Sequence, residues 1–403
     1  MSGHSPVLVV GAGPVGLSAA LALRDVGLPV TVLEAGDAER LRPGSRAIFV
    51  HRESLELLES FREGVGREIA RHGLVWSTKR TYWGEREVFV RTYPPVRSSG
   101  LPPFTSLPQI QTEDLLLGAC KQAGVEFVWG AEVEEARVSP DGVLLLTRSG
   151  DEWTADYVVG ADGGRSAVRR SLGIELEGSR SANSFVIVDL DEDAAAPLRP
   201  ERVFYYEHPA VGGRNVLLVP FAGGWRADLM CRETDDPEHF NSEEGVRRWI
   251  GRVMPEGYAD RVAWVSTYQF LQVIAERFTD VHRRVLLAGE AAHLFAPFGA
   301  RGMNSGIADA SAAARAIGKA VEARSPITAR DAVDEFASTR QEAAEHNRAA
   351  AGAALAHMQA REPMMRLKRM VAAKLARVGG RAGAWLDSSP YGPRSGERRG
   401  GTY

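Results

Sequence analysis

Three groups of residues in this chain have types and spacing that could bind a cofactor, and the first follows the first apolar run. It reads Gly11-Ala12-Gly13-Pro14-Val15-Gly16, and the acidic residue Glu34 ends the next apolar run. In such a turn, Gly11 permits the tight bend, Gly13 lets the backbone approach a pyrophosphate, and Gly16 allows close packing of helix on strand. The helix N-terminus offers N–H groups to phosphates, and the acid accepts hydrogen bonds from ribose hydroxyls. The first group predicts a dinucleotide site, without separating FAD from NAD.

The second and third groups combine a carboxylate with several glycines. The second reads Gly160-Ala161-Asp162-Gly163-Gly164-Arg165-Ser166. The third reads Gly289-Glu290-Ala291-Ala292-His293 and is followed by Pro297-Phe298-Gly299-Ala300-Arg301-Gly302-Met303-Asn304-Ser305-Gly306. A loop this rich in glycine lets the backbone lie against a flat ligand, where side chains would clash.

Alternating strands and helices would position these groups. Val7–Val10 predicts a buried strand, Pro14–Val26 a helix and Val30–Leu33 a second parallel strand, which together form a βαβ unit. Short core strands at Tyr157–Val159 and Val285–Ala288 lead into the second and third groups. The pattern therefore indicates an α/β fold.

Residues 183 to about 275 differ in character, because strand-like runs there alternate with turn residues. They predict a mostly β layer with one helix near Ser242–Val253. The predicted strands are Phe185–Leu190, Arg202–Glu207, Asn215–Phe221, Arg226–Cys231 and Val262–Phe270. Pro94–Pro108 is expected to be a loop, and the Gly/Arg/Ser-rich tail after about Val378 is expected to be frayed or disordered.

The predicted division into domains follows from these changes in pattern. A discontinuous cofactor-binding domain takes residues 1–75, 100–180 and 280–355, and a β-rich substrate domain takes 76–99 and 181–279. Residues 356–403 form a C-terminal helix and the tail. A chain of 403 residues is long enough for two joined domains with a large core.

Composition excludes several classes of partner. Hydrophobic residues make up 44% and charged residues 25%, as in an ordinary globular protein, and a net charge of −3 gives no basis for binding nucleic acid or an anionic membrane. The short, polar start of the sequence predicts no signal peptide, and no apolar stretch in the sequence is long enough to span a bilayer. The two cysteines, Cys120 and Cys231, are expected to be buried apolar residues in a reducing cytosol, and no metal-ligand spacing is present. These observations predict a cytoplasmic protein.

In their order and spacing, the three groups resemble the class A, p-hydroxybenzoate hydroxylase-like, single-component monooxygenases that hydroxylate aromatic rings. The resemblance runs from about residue 5 to residue 345. It implies a Rossmann-like FAD-binding domain of the GR2 type, with an inserted mostly β substrate domain and C-terminal helices. It also implies FAD as cofactor, NAD(P)H and O2 as cosubstrates, and hydroxylation of a phenolic or related aromatic compound through a flavin C4a-hydroperoxide.

The resemblance also assigns roles to individual positions. Glu290 stands where the family has Asp, and the longer side chain keeps the carboxylate that would bond the ribityl chain. A helix that begins near Asn304 would direct its N–H groups at the flavin N1/C2=O edge, where the reduced ring is anionic. The other implied cofactor contacts are Arg46, Gln111, Asp162, Gly163, Gly289, Gly302 and Met303, and the carbonyl of Pro297 would border the oxygen-reaction cavity.

The substrate is expected between the flavin and the β layer. Strand alternation allows only one of Tyr205 and Tyr206 to face that space. A tyrosine or histidine there could help to deprotonate a phenol. The candidates are Tyr205, Tyr206, His208, Phe221, Arg226 and Tyr268, of which Tyr205 and Arg226, with Pro297, are the predicted catalytic residues. His293 is interpreted as a structural hydrogen-bonding residue.

Other functions remain open on the same fold. A flavin-dependent halogenase is one, although the eight tryptophans form no Trp-x-Trp pair, and a flavin-dependent dehydrogenase is another. A flavin-binding accessory protein without turnover is a third, favoured only by Glu290. A small aromatic substrate and a monomer or homodimer complete the predictions.

Overall fold

A computed structural model describes residues 3–39, 44–94, 100–377 and 380–393. Within these residues the strands, in chain order, are β1 (Gly3–His4), β2 (Val7–Val10), β3 (Val30–Glu34), β4 (Phe49–His51), β5 (Thr78–Trp83), β6 (Arg86–Thr92), β7 (Phe104–Ser106), β8 (Glu126–Trp129), β9 (Val133–Ser139), β10 (Gly142–Thr147), β11 (Glu152–Ala155), β12 (Tyr157–Gly160), β13 (Leu176–Asp191), β14 (Glu201–His208), β15 (Arg214–Phe221), β16 (Gly224–Met230), β17 (Val262–Ala275), β18 (Val285–Leu287) and β19 (His293–Leu294). The α-helices are α1 (Pro14–Asp25), α2 (Arg52–Phe61), α3 (Val65–His72), α4 (Gln109–Gln122), α5 (Ala167–Ser171), α6 (Glu238–Asn241), α7 (Glu243–Val253), α8 (Arg301–Glu322), α9 (Pro326–Gln359), α10 (Pro363–Leu375) and α11 (Gly380–Ser388).

A five-stranded parallel sheet forms the centre of the cofactor-binding part, in the order β18-β12-β2-β3-β8. Every residue of β2 and β3 is buried, as expected for parallel strands covered on both faces. Helices α1 and α8 pack together, and their alanine- and leucine-rich faces join the largest apolar core. The predicted βαβ unit and the α/β fold class are confirmed. A four-stranded sheet, in the order β1-β11-β10-β9, lies beside this core.

An eight-stranded sheet forms the second layer, in the order β19-β17-β13-β16-β15-β14-β5-β6. It contains the strands predicted between residues 183 and 275, and also β5 and β6 from the earlier segment. One face packs against α7 around Trp225 and Trp249. Part of the opposite face packs against α10 and α11.

The structure corrects three sequence-based expectations. Residues 380–388 of the expected disordered tail form α11, whose Leu386 is fully buried; residues 394–403 lie outside the described residues. The Pro94–Pro108 loop contains β7, which pairs with β4. Helix α8 begins at Arg301, one turn earlier than Asn304, because Ala300 adopts a left-handed conformation at φ +52° and ends the preceding loop. In the described part of the chain, no helix combines the length and apolarity needed to cross a bilayer.

Candidate active site

One large cavity lies between the parallel sheet and the eight-stranded sheet. Its volume is about 2650 Å³. A site for one small molecule takes roughly 300–1,000 Å³, so this cavity has room for a cofactor and a substrate together. The sequence-predicted residues that line it are Gly11, Gly13, Pro14, Glu34, Arg46, Asp162, Gly163, Arg226, Tyr268, Glu290, Pro297, Gly302, Met303 and Asn304. The three sequence groups therefore meet at one wall.

The first group forms a backbone cradle at the carboxyl end of β2. Gly11 has φ +101°, and a Cβ there would lie 2.5 Å from the carbonyl oxygen of Ala161. A Cβ on Gly16 would overlap the carbonyl oxygen of Gly11. Glu34 holds the turn, because its carboxylate accepts hydrogen bonds from Ala12 N at 2.6 Å and from Gly36 N at 3.0 Å. Side chains are thus excluded where a pyrophosphate would approach the helix N-terminus.

Asp162 of the second group has a polar atom without a hydrogen-bond partner in the described part of the chain. Its Oδ2 accepts a hydrogen bond from Val168 N at 3.1 Å, while Oδ1 is inaccessible to solvent and has no hydrogen-bond partner among the described residues. Burial raises the pKa of this carboxyl above its ordinary value. An unpaired buried acceptor at a cavity wall is suited to a ligand hydroxyl or N–H.

The third group is held by a residue that the sequence analysis missed, Asp309 on α8. Its carboxylate, which is fully buried, accepts hydrogen bonds from Gly289 N at 3.0 Å and Arg340 Nε at 2.6 Å, and lies 2.7 Å from His293 Nε2. Burial alone would raise the pKa of Asp309, but His293 and Arg340 outweigh it and hold the pKa below its ordinary value. His293 therefore has a structural role here. Glu290, the next residue after Gly289, is exposed to the cavity.

The N-terminus of α8 presents backbone to the cavity. Apart from the adjoining backbone of α8, no atom of the described residues lies within 4 Å of the place that a Cβ on Gly302 would take. The Asn304 side chain is used elsewhere: it accepts from His51 N at 2.9 Å and Ser54 Oγ at 2.7 Å, and donates to Phe49 O at 3.0 Å. Any contact from Asn304 to a flavin must therefore come from its backbone. The carbonyl of Pro297 accepts the Ala300 N–H at 2.9 Å within the loop.

These features fit a flavin dinucleotide. The cradle at Gly11 excludes side chains from the diphosphate position, Asp162 offers an unpaired acceptor, and the open space at Gly302 can take a flat ring. The first free N–H groups of α8 line the same space and would stabilise negative charge on such a ring.

Gln111, which the resemblance predicts to contact the cofactor, does not line the cavity. Helix α4 begins at Gln109, and Gln111 lies exposed on its outer surface. Gln109 lines the cavity instead: its Oε1 accepts from Ala47 N at 3.2 Å and its Nε2 donates to Glu113 at 2.8 Å.

Tyr205 does not line the cavity. It stacks on Tyr82 at a ring distance of 4.9 Å and packs on the opposite face of the sheet, so the structure gives no geometric basis for a catalytic role. Tyr206 is fully buried, with its hydroxyl 2.8 Å from His357 Nε2 and 2.6 Å from Leu386 O. Phe204 occupies the cavity face of β14.

Two other substrate candidates also lie outside the cavity. His208 is buried against the ring of Tyr205, and burial lowers its pKa. Phe221 packs with Ile48 and Val219 in a small apolar cluster. Of the substrate candidates, Tyr268 and Arg226 line the cavity.

Arg226 has a positioning role that its sequence context did not reveal. Its Nη2 donates to Ser45 Oγ, and its Nε lies 3.5 Å from Asp189 Oδ1. Ser45 donates to the same Asp189 through its N–H and its hydroxyl, both at 2.6 Å. The bridge of Ser45, Asp189 and Arg226 joins the loop that carries Arg46 to the eight-stranded sheet, and leaves Arg226 less available to a substrate.

Asp228 is a second carboxylate at the cavity that the sequence analysis missed. It is half-buried on the cavity face of β16, where Ile187 and Leu217 are its partners on the two neighbouring strands. Its Oδ1 is inaccessible and has no hydrogen-bond partner among the described residues. Burial raises the pKa of Asp228 to about 6, with Asp189 adding to the rise and Arg226 opposing it. Strand alternation from Arg226 was the signal that could have found it.

The cysteines behave as the sequence predicts. Cys120 and Cys231 are free, buried thiols, and burial raises the pKa of each to about 12. Such thiols are unreactive. Among the described residues, no cluster of His, Cys, Asp or Glu could hold a metal ion.

Comparisons with known proteins agree with the geometry. The model of the family described as FAD binding domain matches residues 4–349. A 3-(3-hydroxy-phenyl)propionate/3-hydroxycinnamic acid hydroxylase from Mycolicibacterium smegmatis is 31% identical over 76% of this chain and 54% of its own length. The chain therefore spans about half the length of the curated relatives it matches.

Solved structures share the fold. A p-nitrophenol 4-monooxygenase from Pseudomonas putida superposes with a TM-score of 0.76 at 24% identity, covering 98% of this chain and all of that one. A ternary complex of aklavinone-11 hydroxylase with FAD and aklavinone superposes with a TM-score of 0.73 at 26% identity, covering 90% of this chain and 70% of the other.

Proposed function

Since the chain belongs to the FAD binding domain family, we propose that it is an FAD-dependent monooxygenase that uses NAD(P)H and O2 to hydroxylate a phenolic or related aromatic compound. One observation carries the proposal: a single cavity has the cofactor groups on one wall and a face of the eight-stranded sheet on the other. The named activity of the Mycolicibacterium smegmatis relative is consistent with a phenolic substrate.

Residues of the first wall would hold the cofactor. The cradle from Gly11 to Gly16 would hold the diphosphate, Glu34 the ribose, and the N-terminus of α8 the ring. Arg46 and Glu290, both exposed to the cavity, would meet the diphosphate and the ribityl chain. When bound and reduced by NAD(P)H, FAD supplies the activation of O2 that lets one oxygen atom be placed on the ring.

Residues of the second wall would position the substrate and limit access of water. Ile187, Leu217 and Phe204 form an apolar surface around Asp228. The Asp228 carboxylate would accept the hydrogen bond of a phenolic hydroxyl and take its proton as the ring attacks oxygen. A base with a pKa near the working pH suits that step, because loss of the proton makes the ring more electron-rich.

We further propose a reducing, cytoplasmic location and a monomer or homodimer. The location is supported by the free, buried thiols of Cys120 and Cys231. Size-exclusion chromatography with light scattering would determine the oligomeric state.

The proposed activity is tested on the purified protein saturated with FAD. Flavin absorbance is recorded first, and then NADH and NADPH oxidation is followed with a panel of phenols while peroxide and hydroxylated product are measured. Phenol-stimulated oxidation with stoichiometric product supports the proposal. Flavin reduction by substrate without oxygen incorporation would identify a dehydrogenase, and a chlorinated product in the presence of chloride would identify a halogenase. Absence of substrate-stimulated NAD(P)H oxidation, with or without bound flavin, would favour the accessory protein.

A further inference from the structure

Helix α10 presents large apolar side chains to solvent. Among the described residues, eleven large apolar side chains are exposed, and five of them lie on this one helix. They are Met364, Leu367, Met370, Val371 and Leu375, and their exposed fractions range from 44% to 59%. A single exposed apolar residue is ordinary on a protein surface, whereas a contiguous group marks a place where another surface docks.

Four of these residues form a stripe along the helix. Leu367, Val371 and Leu375 follow one another at intervals of four residues and therefore lie on one side of α10. Met364, three residues before Leu367, continues the same line. We call these four residues the apolar stripe.

The opposite side of α10 fixes the direction in which the apolar stripe points. Ala372 and Ala373 are buried in the apolar cluster beneath the helix. Arg369 is also buried, and its Nη1 donates to the carbonyl oxygen of Met358 at 3.0 Å. The helix is therefore packed on the protein body by one face and exposes the apolar stripe on the other.

The charges around the apolar stripe have one sign. Lys368 and Lys374 are exposed, and at 3.6 residues per turn each lies about 60° to one side of the stripe. Helix α10 contains no Asp or Glu, and residues 361–381 contain seven Lys or Arg against one acidic residue. The whole chain has a net charge of −3, so this segment is a basic region of an otherwise acidic molecule.

We propose that α10 binds the surface of an anionic phospholipid bilayer. The apolar stripe would enter the boundary between headgroups and acyl chains, and the ammonium groups of Lys368 and Lys374 would reach the lipid phosphates while their stems cover apolar surface. Helix α10 has 13 residues, too few to cross a bilayer, so it would lie in the plane of the surface. This inference goes beyond the proposed reaction and does not depend on it.

The charge pattern favours lipid over a second copy of the chain. A twofold contact would place α10 against the same helix of the partner, so that lysine faced lysine without an acidic residue of α10 to pair with it. An anionic bilayer supplies both the apolar layer and the opposite charge. A nucleic acid would supply only the charge and would leave the apolar stripe in water.

The test is cosedimentation of the FAD-saturated protein with lipid vesicles. One set is made of phosphatidylcholine alone, and the other of equal parts of phosphatidylcholine and phosphatidylglycerol. We expect binding to the anionic vesicles to be about tenfold or more stronger, and to weaken as salt is raised, because each lysine near an anionic surface contributes about fivefold. Equal binding to both sets, or binding to neither, would overturn the inference.

A first pair of variants tests the apolar stripe. Leu367→Glu combined with Val371→Glu should weaken vesicle binding by about tenfold or more, because it places two carboxylates in the apolar layer. Ile327→Glu is the control, since Ile327 is 72% exposed at the start of α9 and should leave vesicle binding unchanged. Binding that survives the double substitution on α10 contradicts the inference.

A second pair tests the charges and serves if the first variant does not fold. Lys368→Glu combined with Lys374→Glu should abolish the preference for anionic vesicles. Arg324→Glu combined with Arg330→Glu makes the same change of charge at exposed positions near the start of α9, and it should keep most of the preference. Equal losses in the two variants would mean that overall charge, and not α10, attracts the vesicles, and would overturn the inference.

Light scattering without vesicles distinguishes the other occupant. If wild type is a dimer and Leu367→Glu converts it to a monomer, the apolar stripe is covered by a second copy and the inference is wrong. An oligomeric state that does not change in Leu367→Glu supports docking on lipid.

Discussion

The two walls of the cavity place a carboxylate in opposite environments. On the cofactor wall, Asp309 has hydrogen-bond partners in Gly289, His293 and Arg340, and its pKa lies below the ordinary value. On the substrate wall, Asp228 has apolar neighbours, an oxygen without a hydrogen-bond partner among the described residues, and a pKa raised to about 6. A satisfied carboxylate fixes a backbone position, whereas an unsatisfied one keeps its capacity for a ligand. The contrast separates residues that hold the site from residues that act in it.

The largest effect is expected from Asp309→Ala. It leaves Arg340 and His293 without their shared carboxylate in the core, so the free energy of unfolding should fall by about 3–5 kcal/mol. Because the folded-state pKa of Asp309 is depressed, its ionised carboxylate stabilises the wild-type fold at pH values above the ordinary pKa of 3.8. This stabilisation is lost as pH falls through the folded-state pKa. Urea unfolding measures the loss, and Asp331→Ala, exposed on α9, is the control. Equal stability of the two variants would refute the holding role of Asp309.

Asp228→Asn should have the next largest effect, and its main effect should be on activity. Without the base, the rate of hydroxylation should fall about 10²-fold or more. Wild-type kcat/KM should fall below about pH 6, where the base is protonated, and the variant should lack that limb. A pH profile that keeps its acidic limb in the variant would assign the limb to another group.

The same substitution should stabilise the protein without ligand. Because the folded-state pKa of Asp228 is raised, the ionised carboxylate destabilises the fold. The resulting decrease in the free energy of unfolding grows as pH rises from 3.8 through about 6. At neutral pH, Asp228→Asn should therefore raise the free energy of unfolding by about 1–3 kcal/mol. Urea unfolding at pH 4 and pH 7 checks the sign.

Gly302→Ala should weaken FAD binding with little effect on folding. A Cβ there enters the open space where the ring would lie, and FAD affinity should fall about tenfold. The matched control is Gly118→Ala on α4, where the Cβ also meets no atom but lies outside the cavity. Both substitutions should raise helix stability by up to about 1 kcal/mol. Fluorescence titration with FAD separates them, and equal affinity would place the ring elsewhere.

Tyr205→Phe should have the smallest effect. Its hydroxyl lies on the face of the sheet away from the cavity, so kcat and KM should change less than about twofold. Phe204→Leu, at the neighbouring position on the cavity face, should change KM more. A large loss of kcat in Tyr205→Phe alone would indicate that Tyr205, and not Phe204, faces the cavity.

The cofactor wall could be predicted from the sequence because its geometry depends on backbone. Gly11 and Gly16 stand where a Cβ would meet a carbonyl oxygen, and that requirement is visible in the residue type. Glu34 follows from the βαβ spacing. A helix start was predicted less accurately, since Arg301 begins α8 three residues before the expected Asn304.

The substrate wall could not be predicted because it depends on strand register. Tyr205 lies on a strand whose orientation is set by pairing across the sheet, which no local pattern specifies. Arg226 was predicted to be catalytic, but a partner distant in sequence, Ser45, decides where its guanidinium lies.

The bridge of Ser45, Asp189 and Arg226 limits how freely the two halves of this molecule can be recombined. Exchanging the substrate sheet for that of a relative would replace Asp189 and Arg226 together while Ser45 stayed with the host half. A mismatched chimera would leave a buried charge facing a loop that cannot satisfy it. A domain exchange in this scaffold should therefore transfer the three residues together, although they lie far apart in the chain.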